Sequence, residues 1–77
     1  MSSIAVKFGQ VVRRCREARG LSQEALADLA GVSRSFLSEV ERGAASPSLD
    51  TMHKLAEALN EPLSFLISQY ERTHDAT

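Results

Sequence analysis

The chain has little with which to build covalent or cofactor chemistry. A single cysteine, Cys15, among 77 residues excludes an internal disulfide and any zinc cluster made of cysteines. Only His53 and His74 offer imidazoles; no carboxylate pair or metal-ligand spacing surrounds them, and the glycines form no phosphate-cradling loop. The expectation is a protein that is not an enzyme, with no catalytic residue, metal or cofactor, and too short to add a domain for a small-molecule ligand. No apolar run is long enough to span a bilayer and no secretory leader is recognised, which points to a soluble cytoplasmic protein with no membrane contact. Strand periodicity is missing too: no stretch alternates apolar and polar residues, whereas apolar residues recur at spacings of three and four throughout.

Those spacings predict an all-α domain of five helices over residues 1–72, followed by a loose tail over 73–77. With 43% hydrophobic residues in so short a chain, one small core is possible, and further burial against a partner is expected. The first helix carries Ile4, Phe8, Val11, Val12, Cys15 and Ala18 on one stripe and stops at Gly20. Cys15 inside that stripe reads as a small core hydrophobe, because no histidine lies near it in sequence to activate a thiolate. Ser48 caps a fourth helix bearing Leu49, Met52, Leu55, Ala56 and Leu59; Asn60 closes it, and Pro62 opens the fifth at its first position.

Residues 21–43 hold the densest signal. Ser22 can accept from an orphan amide while Leu21 packs on Leu26, so a helix begins near Gln23. Ser33, flanked by Val32 and Leu37, repeats the arrangement for a helix beginning near Arg34. Only Ala30-Gly31-Val32 lies between them, and Gly31 can take the left-handed conformation that ends a helix. Two helices joined by so short a turn form the helix-turn-helix that reads DNA, the alternative being a helical hairpin without a ligand.

On a helical wheel the third helix turns Phe36, Leu37 and Val40 inward and Arg34, Ser35, Ser38 and Arg42 outward, with Glu39 at the border. Arg34 can grip guanine O6 and N7 bidentately, and Ser35 and Ser38 are short enough to bring the helix close to base edges. A solvated helix face would carry similar residues. Glu39 either accepts from a cytosine amino group or is simply solvated. Glu41 faces the core edge, and Arg16 is its expected partner in a partly buried bidentate pair.

Charge distribution fits such a reading better than its sum. The net charge of −1 argues against nucleic acid, whose affinity rests on phosphate neutralisation. Up to Arg19, however, Lys7, Arg13, Arg14, Arg16 and Arg19 face Glu17 alone, while from Asp50 onward Asp50, Glu57, Glu61, Glu71 and Asp75 outnumber Lys54 and Arg72. One end can face DNA and the other solvent or a second subunit. In the fifth helix Leu63, Leu66, Ile67 and Tyr70 form a core stripe, but Phe65 is turned by about 200° from Leu63. A phenylalanine pointing outward beside further apolar surface reads as a homodimer contact, assigned to Leu63, Phe65, Leu66 and Gln69, the alternative being a lone surface aromatic.

The segments Phe8-Gly9, Val12-Arg13, Cys15-Arg16, Gly20-Leu21-Ser22-Gln23, Leu26-Ala27, Gly31-Val32-Ser33, Glu41-Arg42-Gly43, Pro47-Ser48-Leu49 and Leu55-Ala56 with Ala58-Leu59 closely resemble the Xre, or phage-repressor-like, helix-turn-helix family. The resemblance covers most of the chain. It implies a lambda-repressor-like fold that binds pseudo-palindromic operators in double-stranded DNA as a homodimer, one recognition helix per major groove. By position, Gln23 resembles a glutamine that bonds a phosphate and buttresses the recognition helix, and Ser22 stands beside it as a further phosphate contact. Arg34, Ser35 and Ser38 resemble base-reading positions, with Glu39 adjoining them. Arg42, Ser46 and Ser48 match positions that approach phosphates, and the Arg16–Glu41 pair resembles an internal salt bridge. The sequence departs from the pattern in having Cys15 where leucine is more usual and in its overall acidity. Within the family it is similar to the controller proteins of restriction–modification systems, which activate and repress from their own promoter; that role makes RNA polymerase a candidate partner. Small phage repressors fit almost as well. The rival reading is an antitoxin-type protein-interaction module with secondary DNA binding, against which stands the absence of a long disordered arm.

Overall fold

The structure, a computed structural model, describes residues 4–75, and side chains as far as residue 69. Its elements in order are α1 (Ile4–Ala18), α2 (Gln23–Ala30), α3 (Arg34–Arg42), α4 (Leu49–Ala58) and α5 (Leu63–Asp75). No strand occurs among the described residues. The boundaries follow from local chemistry. Ser22, Ser33 and Ser48 each hold extended backbone and accept from the amide three residues on, Ala25, Phe36 and Thr51, so three helices start on a side-chain cap. Gly31 ends α2 at φ 71°, and Val32 N then donates back to Ala27 O at 3.0 Å, closing the helix within the turn. Asn60, at φ 59°, turns the chain out of α4.

The core draws on every helix: Phe8, Val11 and Val12 from α1, Leu26, Ala27 and Ala30 from α2, Leu37 and Val40 from α3, Leu55 and Ala56 with Leu59 from α4 and its end, and Leu66 from α5. α1 packs on α3 and α5, α2 on α3 and α4, and α4 on α5, so α3 is held from behind by two helices. Its contact with α1 is unusually close. A Cβ placed on Gly9 would lie 2.1 Å from the carbonyl oxygen of Val40 and 3.0 Å from that of Glu41, so glycine alone lets the two backbones meet.

The structure departs from the sequence reading mainly at helix ends. Ile4 and Leu49 are 65% and 70% exposed, and Ala18 is also exposed. All three lie on the expected stripe, but at the first or last residue of their helices, where the helix end is only partly covered by the core. Pro62 falls one residue before α5, with its carbonyl accepting from Phe65 N. α5 runs on to Asp75, because Thr73, His74 and Asp75 carry no glycine or proline to stop it; Ala76 and Thr77 lie outside the described residues. The expected inward side chain of Tyr70 lies outside the described side chains, as does His74.

Candidate nucleic-acid interface

α3 is amphipathic to an extreme degree for its length. Leu37 and Val40 are fully buried and Phe36 packs against the core, while Arg34, Ser35, Glu39 and Arg42 are exposed and Ser38 is half-buried. The outward face therefore carries a cation at each end, two serines and one carboxylate. Arg34, at the first residue, has no partner among the side-chain bonds and ion pairs of the described residues. Arg42, at the last, donates from Nη1 to Ser38 Oγ at 2.6 Å. The two i,i+4 neighbours, each expected to contact DNA separately, thus form one unit.

Behind this face lies a satisfied buried charge network. Arg16 Nε donates to Glu41 Oε2 at 2.7 Å and Nη2 to Oε1 at 3.1 Å, with the two side chains only 12% and 3% exposed. Nη1 of Arg16 donates to the carbonyl of Leu21 at 2.8 Å, and Gln23 Nε2 donates to Glu41 Oε1 at 3.1 Å. The carboxylate thus receives three bonds and ties α1, the start of α2 and the end of α3 together. Its hydrogen bond holds the Arg16 guanidinium above its ordinary pKa, outweighing the opposing effect of burial. Sequence spacing suggests the ion pair. It does not reveal the roles of Leu21 O and Gln23, which depend on how closely α2 approaches α3.

The expected phosphate contacts have different freedoms. Ser22 accepts from Ala25 N, leaving its hydroxyl proton to donate. Gln23 has committed one amide donor to Glu41. Ser46 is exposed; Ser48, also exposed, both accepts from Thr51 N and donates to Thr51 Oγ1 at 3.1 Å, so its proton is engaged within the α4 cap. On α5, Phe65 is 37% exposed and Leu63 and Gln69 are half-buried, but Leu66 is fully buried in the subunit's own core. Leu66 therefore supports that surface from within and is corrected from the set of residues that could reach a partner. Among the described residues Arg13 and Glu17 also form an exposed i,i+4 ion pair at 3.2 Å of small energetic weight, and His53 Nε2 lies 3.5 Å from Glu57 Oε2, an ion pair only when the imidazole is protonated.

Among the described residues no group of histidine, cysteine, aspartate or glutamate is arranged to hold a metal ion, and no helix is long and apolar enough to cross a membrane. Burial raises the pKa of Cys15, with the charge of Glu61 adding to the effect, so its thiol stays protonated at neutral pH.

The helix-turn-helix family model HTH_3 matches residues 12–66. The chain belongs to the helix-turn-helix family. That family, Xre-like in its members, is one of DNA-binding transcription regulators, and the helix-turn-helix unit here is α2, the Gly31 turn and α3. The HTH-type transcriptional regulator SutR of Escherichia coli is 37% identical over 68 residues, covering 88% of this chain and 38% of SutR. Control protein C.BamHI of Bacillus amyloliquefaciens is 39% identical over 59 residues, covering 75% of this chain and 73% of that protein. The crystal structure of the restriction–modification controller protein C.AhdI from Aeromonas hydrophila superposes with a TM-score of 0.79 at 50% identity, covering 80% of this chain and 94% of that one. The chain spans 38%, 56% and 21% of the lengths of three curated relatives, all of them described as HTH-type regulators.

Proposed function

We propose that this chain is a sequence-specific transcriptional regulator that binds pseudo-palindromic operators as a homodimer and controls its own promoter together with restriction–modification genes. The observation that carries the reading is the outward face of α3: a helix fixed at the core by Leu37 and Val40, capped by Ser33, and presenting an unpaired arginine at its exposed N-terminal end. Recognition helices of this type place their N-terminal residues on base edges in the major groove. Arg34 then grips a guanine, with Ser35 and Glu39 beside it. Ser22, Gln23, Arg42, Ser46 and Ser48 then approach the phosphates and set the register on the duplex. Phe65, with Leu63 and Gln69, provides the contact between subunits, and paired recognition helices require that contact to be two-fold symmetric. Similarity to C.AhdI and C.BamHI, both named as controller proteins, supports the restriction–modification role.

Selection from a random duplex pool at near-physiological salt tests the reading. The expected product is a two-fold symmetric site. Arg34→Ala should then relax preference at one base pair per half-site and cost about 1–3 kcal/mol per half-site. Absence of any enriched sequence would overturn sequence-specific binding.

A further inference from the structure

We propose that Ser38 is a positioning residue for Arg42 and not a base reader: its hydroxyl oxygen holds the guanidinium on the outward face of α3, preset for a phosphate. The inference rests on the DNA-binding reading above and assigns a division of labour within it.

Arg34, Ser38 and Arg42 lie on one ridge of α3, each a turn from the next. The two arginines at its ends are nonetheless in different states. Arg42 Nη1 lies 2.6 Å from Ser38 Oγ, a short charge-assisted bond, whereas Arg34 makes no such bond to Ser38. Helix polarity explains part of the difference. Long side chains on a helix lean toward its N-terminus, so Arg42 reaches back over Ser38 while Arg34 leans away from it. The backbone at Ser38 is held in place, because Leu37 before it and Val40 two residues after it are fully buried.

The consequences for both partners are definite. A serine hydroxyl has one donor and two acceptor sites, and here one acceptor is filled by a cation. The bond ties the hydroxyl to the arginine and leaves it its proton and one acceptor site. Arg42 has five N–H donors in a rigid fork and uses one of them on Ser38, which leaves the others to donate to a phosphate oxygen. Immobilising such a side chain before binding removes an ordering cost worth roughly two- to tenfold in affinity. Arg34, unrestrained, keeps the rotamers needed to seat itself on a base pair.

The test uses the duplex selected by the wild-type protein, together with a panel of its single-base-pair variants, titrated at several salt concentrations. Ser38→Ala should weaken binding roughly two- to tenfold and equally across the panel, and Ser38→Thr, which keeps the hydroxyl, should bind as wild type. Arg42→Ala should weaken binding uniformly and lower the salt slope by about 0.9 per subunit. In the Arg42→Ala background, Ser38→Ala should change affinity no further. Thermal melting separates this role from a structural one, because alanine is the better helix former and Ser38→Ala should melt no lower than wild type. The inference is overturned if Ser38→Ala leaves affinity unchanged, adds its full loss to Arg42→Ala, or relaxes preference at a single base pair. A wild-type protein that holds no duplex would overturn the DNA-binding reading instead, an outcome distinct from any of these mutant patterns.

Discussion

Truncating Glu41 to alanine strips a nearly buried guanidinium of its counter-charge. In the native protein the Glu41 carboxylate is 3% exposed and receives three hydrogen bonds, two from Arg16 and one from Gln23. After truncation Arg16 keeps its bond to Leu21 O, and its charge, 12% exposed, is left with only the weaker influence of Glu17 to offset it. Removing one partner of a buried pair costs about 3–5 kcal/mol. A chain of 77 residues has a total stability of about 4–12 kcal/mol, so the loss is a large share of the whole. For a domain of this size each kcal/mol lowers the melting temperature by about 4–8 °C, which sets the expected fall at no less than about 12 °C. Far-ultraviolet circular dichroism through a thermal melt, with urea titration beside it, reads the change. Replacing both partners by apolar residues, Arg16→Met with Glu41→Leu, should cost far less than Glu41→Ala, because no charge is left stranded. A melting temperature for Glu41→Ala within about 3 °C of wild type would refute the reasoning, as would a double variant less stable than the single.

Three further outcomes follow from other parts of the structure. Gly9→Ala drives a Cβ into the carbonyl of Val40 and must part α1 from α3, so urea denaturation should show a loss of at least about 1–3 kcal/mol; an unchanged midpoint would contradict the close approach. Phe65→Glu places a charge on the proposed subunit contact, and light scattering should then give the monomer mass at concentrations where the wild type is dimeric; a dimeric mutant would remove α5 from the interface. Cys15 should react slowly with iodoacetamide in the folded state, since burial raises its pKa and keeps the thiol neutral, and at the unfolded rate in urea. The same shift means that stability is intact below the ordinary thiol pKa and falls as pH rises through the raised one; equal alkylation rates in both states would refute the assignment.

Most of the architecture is legible along the chain, because its signals are local. Ser22, Ser33 and Ser48 each cap the helix that follows, and Gly31 supplies the turn between α2 and α3; these depend on chemistry within a few residues. The same locality makes the outward face of α3 legible, since helical periodicity alone separates Arg34 and Ser35 from Leu37 and Val40. Periodicity fails at helix ends, where Ile4 and Leu49 lie on the apolar stripe yet stay largely exposed. Packing of the whole chain settled the distances between segments. It brought Gln23 and Leu21 O into the Arg16–Glu41 network, made Gly9 the point where two backbones meet, and drew Leu66 wholly into the subunit's core. Each depends on how closely one helix approaches another, a quantity set by the packing of all five helices together, so no single stretch of sequence carries it.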